Sequence, residues 1–109
     1  MKEFDIHHSM PSVEMALSNL EVYIRISKSE KVIKIIHGYG SSGKGGKIKK
    51  AFREECIELK NKKVIKDYLP GEASYLPMGF DEIIRKYKTL IERDHDFKIS
   101  NEGITYLFF

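Results

Sequence analysis

Between Lys2 and His7 apolar and polar residues alternate, with Phe4 and Ile6 on one side and Glu3, Asp5 and His7 on the other. This period of two predicts a half-buried strand. Pro11 suits a first helical turn, and Val13, Ala16, Leu17, Leu20 and Ile24 keep the spacing of an apolar helical stripe. A helix of roughly thirteen to sixteen residues is expected, ending in the polar stretch Ser27 to Lys31. Val32, Ile33, Ile35 and Ile36 follow as a β-branched run, long enough for a buried strand and too short for a helix. The pattern breaks at Gly38, Gly40, Gly43, Gly45 and Gly46, a density that no helix or strand interior tolerates, so a loop is expected up to Gly46. From Lys47 onward Ile48, Ala51, Phe52, Cys56 and Leu59 return to helical spacing. Farther along, Phe80, Ile83, Ile84, Tyr87, Leu90 and Ile91 predict a further helix within residues 77–96, with Asp81 placed to cap it.

A strand, a crossover helix and a second strand make a right-handed unit with parallel strands. His7 and His37 then both fall at strand C-terminal ends, where such sheets gather their ligand sites. Asp5 and His7 share a strand face about 6.6 Å apart along the backbone and can address one ligand together. An imidazole beside a carboxylate is the usual equipment for acid–base chemistry near neutral pH. Without a ligand, His7 would simply end an exposed strand and His37 would bond the loop backbone. The strand, the glycine loop and the N-terminus of the following helix form a cradle for an anion. Two phosphate fingerprints nearly fit it. Gly38, Gly40 and Gly43 spell G-x-G-x-x-G, which belongs to a longer doubly wound sheet than this chain can hold. Gly38, Gly43 and Lys44 spell G-x-x-x-x-G-K, yet Gly45 stands where a P-loop needs a Ser or Thr hydroxyl.

Composition narrows the class. At 109 residues, 41% hydrophobic and 32% charged, the chain has room for one domain, 1–109, with a single core. No apolar run approaches the ~20 residues of a membrane helix, so no membrane association is expected. One cysteine, Cys56, rules out an internal disulfide framework and suits the cytoplasm; its place on the apolar helix side predicts a core residue. Asp5, His7 and His8 include usable metal ligands but lack a set spacing, so neither a metal nor a cofactor is expected. His95, between Asp94 and Asp96, reads as part of a solvated turn. The net charge is +3, unevenly spread: Lys44 to Lys66 carries nine Lys or Arg against three Glu, while the rest carries ten basic against thirteen acidic residues. Such a segment is either a nucleic-acid contact surface or an ordinary solvated helix face.

Taken in order, these residues resemble the small MutS-related, or Smr, domain family. Phe4-Asp5-Ile6-His7 is similar to its Leu-Asp-x-His signature, and Ile36-His37-Gly38-Tyr39-Gly40 to its His-Gly-x-Gly signature. Ser12-Val13-Glu14 is similar to the family's Thr-Val-Glu, Val64 to Gly71 to its third strand and Pro-Gly, and Gly103-Ile104-Thr105 to the Gly-x-Thr opening its last strand. The resemblance implies an α/β two-layer sandwich, a four-stranded mixed sheet in βαβαββ order with two helices on one face, to which residues 77–96 would add a third helix. It also implies action on nucleic acid, as an endonuclease cutting RNA or structured DNA, with a ribosome- or recombination-associated partner. Mapped onto this sequence, Asp5 and His7 are the candidate catalytic pair, and His37, Gly38 and Gly40 the candidate phosphate-contacting turn. Tyr39 could stack on a base, and Lys44, Lys47, Lys49 and Lys50 could hold flanking phosphates. Two features depart from the family: His8 replaces the glycine that usually follows the first signature, and the 77–96 helix is inserted where a loop is usual. A non-catalytic nucleic-acid-binding module and a phosphate or nucleotide binder remain as alternative readings.

Overall fold

The computed structural model describes residues 1–9, 11–40, 43–75 and 79–109, with 43–45 described in backbone only. Four strands, β1 (Lys2–Asp5), β2 (Val32–Ile36), β3 (Asp67–Pro70) and β4 (Ile104–Phe108), form one sheet in the order β1-β2-β4-β3. β1 runs parallel to β2, and β4 is antiparallel to both β2 and β3. The crossover between the parallel pair is α1 (Val13–Arg25), and α2 (Gly43–Asn61) links β2 to β3. Asp5 pairs with Ile36, Ile36 with Ile104, and Pro70 faces Thr105 across β4. The ends of β1, β2 and β3 and the start of β4 therefore lie along one edge of the sheet.

Alternation along β2 divides the core. Ile33 and Ile35 face α1 and α2, where they join Ile6, Ala16, Leu20, Ile24, Ile48, Phe52 and Cys56. Phe4 stacks on Tyr23 of α1 at 4.5 Å between ring centroids. These two helices on one face of a mixed four-stranded sheet are the expected α/β sandwich. Cys56 is fully buried, and burial pushes its thiol pKa up.

The other face is covered by α3 (Asp81–Ile91), which follows a 3-10 turn at Gly71–Ser74, and by the short α4 (His95–Lys98). Tyr87 of α3 stacks flat on Phe108 at 3.9 Å, and Ile91 packs with Leu69, Ile104 and Tyr106. The helix expected within 77–96 thus adds core on the side opposite α1 and α2. Its Asp81 makes no cap hydrogen bond; Phe80 holds the cap position, and Asp81 lies in the first turn, where its charge suits the helix dipole. Pro11 likewise precedes α1, whose cap is Ser12, its Oγ accepting the Met15 N–H at 3.1 Å.

Lys34 on this second face has a side chain only 3% exposed. Its ammonium lies 2.6 Å from Asp96, 2.9 Å from Asp94 and 3.2 Å from Glu3, and Tyr106 donates to Asp94 at 2.6 Å. Burial alone would lower the Lys34 pKa, but these carboxylates overcome it and hold the ammonium above its ordinary value. The network ties the α3–α4 corner to β1, β2 and β4.

A candidate nucleic-acid interface at the end of the sheet

The sheet edge where β1 and β2 finish carries most of the residues singled out by sequence. Asp5 Oδ1 accepts from the His7 backbone N–H at 2.9 Å and from His7 Nδ1 at 2.7 Å, so the ring holds its proton on Nδ1 and leaves Nε2 as its second functional atom. Both side chains are about a third exposed, His7 at 30% and Asp5 at 37%. The opposite side of the imidazole lies on Gly38: a Cβ there would sit 2.7 Å from His7 Cδ2 and 2.9 Å from Nε2. Gly38 has φ +79, so the position requires glycine both for its backbone and for the room it gives His7.

His37 differs from His7 in every physical respect. It is fully buried, at 0% exposure, beside Phe52 at 5.1 Å between centroids. Its Nδ1 donates to the Gly38 carbonyl at 2.9 Å, which leaves Nε2 to accept the Thr105 hydroxyl at 2.9 Å. The backbone N–H groups of His37 and Gly38 both donate to the Gly103 carbonyl, at 3.0 and 3.1 Å. Burial first, then the positive charges of Arg53 and Lys49, push its pKa down to about 4, against the upward pull of the bond to Gly38. Expected to touch phosphate, the His37 side chain is instead enclosed and neutral; it pins the end of β2 to the start of β4 and so sets the turn on which His7 rests.

Beyond the turn the chain rises into α2, whose helix starts at Gly43, four residues earlier than its apolar spacing indicates. Gly43, Gly45 and Gly46 carry no apolar side chain, so no apolar period marks the first turn. Gly46 has a use: a Cβ there would come within 3.1 Å of the Gly40 carbonyl oxygen. Gly40, at φ +76, also lies against the Lys49 side chain, whose Cδ would be 3.2 Å from a Cβ there. Lys47 and Lys50 are exposed at this end of α2, and Tyr39, between the two glycines, is 60% exposed with its ring edge against Gly103. Lys44 lies in the helix's first turn.

The basic segment does not form one surface. At about 1.5 Å per residue, Lys60 lies ~20 Å along the helix from Lys47, and it pairs with Asp67 at 2.9 Å. Only the Lys47–Lys50 end lies at the glycine turn, where Lys49 packs on Gly40. One turn deeper, Arg53 makes a two-pronged bond to Glu72 of the 3-10 turn, at 3.0 and 3.4 Å, while its buried Nε has no partner among the described residues. Neither Arg53 nor Thr105 was singled out as a site residue from sequence. The Gly103-x-Thr105 pattern was the available signal for Thr105, whereas Arg53 was one charge among nine.

His8 is exposed beside the dyad, and His95 is exposed at the start of α4. Among the described residues no group of three or more His, Cys, Asp or Glu is arranged to hold a metal, and no helix is long and apolar enough to cross a membrane. Compared with known proteins, the chain matches no family model, no curated protein and no solved structure.

Proposed function

We propose that this chain is a nucleic-acid-binding domain of the Smr type, whose Asp5–His7 pair cleaves phosphodiester bonds by acid–base chemistry. The observation that carries the reading is the 2.7 Å Asp5–His7 bond, backed by Gly38 of a turn whose Gly40 packs on Lys49 of α2. Asp5 holds the tautomer and stabilises the imidazolium; Nε2 moves the proton. On RNA, Nε2 takes the proton of a ribose 2′-hydroxyl, the 2′-oxygen bonds to the adjacent phosphorus, and the phosphorus–5′-oxygen bond breaks. The 5′-oxygen departs with a proton returned from the imidazolium or from water. On DNA, a water deprotonated by Nε2 takes the place of the 2′-hydroxyl. Lys47, Lys49 and Lys50 hold the flanking backbone, which gives affinity without sequence choice.

A second reading has one observation in its favour. Because a single carboxylate oxygen accepts both the backbone and the ring N–H of His7, the pair also closes the end of β1, as a purely structural cap would. In that case the domain binds without cutting. Single-turnover cleavage of labelled RNA and structured DNA by wild type, His7→Ala and Asp5→Asn separates the two. Loss of cleavage with retained, salt-dependent binding in His7→Ala supports the nuclease. Absence of cleavage by wild type on every substrate, with binding that drops only in Lys49→Glu/Lys50→Glu, supports the binding module.

A further inference from the structure

The segment from α3 to Ser100, with Ser74 of the 3-10 turn, builds a second basic hollow at the far end of the same sheet edge. It measures about 510 Å³ and is walled by Lys88 and Arg93 on the α3 side and by Lys98 of α4, with Glu92 as its single acid. Among the described residues none of these three cations is in an ion pair, whereas Lys34, Arg53, Lys60, Arg85 and Lys86 all are. Two hydroxyls open into the hollow, Ser74 and Ser100, hydrogen-bonded to each other at 2.6 Å. Ser100 adopts φ +54, a conformation serine rarely takes. Ser74 donates to the Gly71 carbonyl at 3.2 Å and so accepts from Ser100, which leaves the three cations, with no ion pair among the described residues, as the groups that suit a phosphate.

Position links the hollow to the dyad. Ser74 closes the 3-10 turn after β3, and Gly71 in that turn packs so tightly on the Asn101 carbonyl that a Cβ would be 1.9 Å from it. The hollow therefore begins at the β3 end of the edge, three strand spacings or about 14 Å from β1 and His7. Two exposed aromatic rings lie between or beside them: Tyr39, 60% exposed, against the start of β4, and Tyr75, 75% exposed, directly after Ser74.

We propose that this hollow is a second phosphate-binding subsite for a single-stranded nucleic acid whose scissile bond lies at His7. The strand leaves the dyad, crosses the end of the sheet with unpaired bases stacked on Tyr39 and Tyr75, and lays a backbone phosphate among Lys88, Arg93 and Lys98. This rests on the reading of Asp5–His7 as a nucleic-acid site. Binding of labelled single-stranded oligoribonucleotides of roughly four and roughly twelve nucleotides, followed by fluorescence anisotropy over a salt series, tests it. Wild type should prefer the longer strand. The Lys88→Ala/Arg93→Ala/Lys98→Ala variant should bind it roughly tenfold more weakly, with a salt slope lower by about 0.7, the share of one phosphate on a single strand, and bind and cleave the short strand as wild type does. Tyr75→Ala should weaken the long strand alone, and a duplex of the same length should gain nothing from the hollow. A triple variant that binds the long strand like wild type, or that weakens both lengths equally, overturns the subsite while leaving the dyad reading intact. Failure of wild type to bind either strand, or indifference of both to Lys49→Glu/Lys50→Glu, overturns that reading and the subsite with it.

Discussion

His37 should make the protein acid-sensitive in a defined window. In the unfolded chain its imidazole titrates near the ordinary value of 6.5, whereas in the fold it is pushed to about 4. Above pH 6.5 both states are neutral and the burial is free of any protonation cost. As pH falls from 6.5 toward 4, the unfolded chain binds a proton that the native state refuses, so stability drops until the native ring also protonates. A gap from 6.5 to 4, at 1.36 kcal/mol per pH unit, amounts to about 3 kcal/mol. Against a total of roughly 5–15 kcal/mol for a domain, that is a large share. Asp67 and Asp96 do not blur the window. Burial raises their pKa, but bonds to Tyr87 and Lys60 in one case and to Lys34 and Asn101 in the other lower it further, so their contribution is lost only below about pH 4. Urea denaturation of wild type and His37→Gln between pH 7 and pH 4 measures the effect. The variant is less stable at pH 7, having lost a fitted ring, but should lack the slope that wild type shows between 6.5 and 4. Parallel slopes for the two proteins, or a His37 resonance titrating near 6.5 in the folded state, would refute the reasoning.

Three other outcomes follow from the same geometry. Gly38→Ala places a methyl where the His7 ring lies and forces a positive φ on alanine; single-turnover cleavage should fall about a hundredfold, the order expected for a displaced catalytic group, while nucleic-acid affinity changes far less. Lys34→Met strands Asp94, Asp96 and Glu3 without their cation and should cost about 3–5 kcal/mol in chemical denaturation, and adding Asp94→Asn and Asp96→Asn should recover part of it. Gly71→Ala meets backbone, not a side chain that can turn away, so a loss of about 3 kcal/mol or more in thermal unfolding is expected, larger than for Gly79→Ala, where a Cβ would meet nothing within 4 Å among the described residues and only the φ of +87 strains the alanine.

How much of this was legible in the sequence depends on whether a residue's role is set by its neighbours along the chain or across the sheet. Period two at Lys2 to His7 and the β-branched run at Val32 to Ile36 gave β1 and β2, because side-chain direction in a strand is fixed locally. The stripe from Phe80 to Ile91 gave α3, but not the face it covers, since that depends on how the chain turns after Pro70. Asp5 and His7 were legible as a pair for the same local reason. His37 was legible as a site residue and not as an enclosed one, because its burial is made by Phe52, Thr105 and Gly103, which are distant along the chain. Lys34 gave no sign of burial, since its three carboxylates come from Glu3 and from the α3–α4 corner. The first turn of α2 is not legible because a glycine run carries no apolar period, and Gly46 answers to the Gly40 carbonyl, which lies outside the helix.

His7 and His37 end up in opposite settings, and burial alone accounts for the difference. A ring that is to move a proton must reach solvent, and the His7 side chain is 30% exposed with Nδ1 anchored to Asp5. A ring with both nitrogens engaged inside the protein cannot, but it can fix geometry: His37 holds Gly38 by its carbonyl, while the backbone on either side is held by Gly103. Any loosening of His37 therefore reaches His7 through Gly38, the residue they share. Substitutions at the two positions should then fail differently. If the proposed nuclease reading holds, losing His7 should remove the chemistry and leave the fold, so activity falls at unchanged stability. Losing His37 loosens the turn, so activity and stability fall together, and conditions that restabilise the fold should restore part of the activity. If His37→Gln abolished cleavage with no loss of stability, His37 would have to touch the substrate itself, and its enclosure by Thr105 and Phe52 would have to open during the reaction.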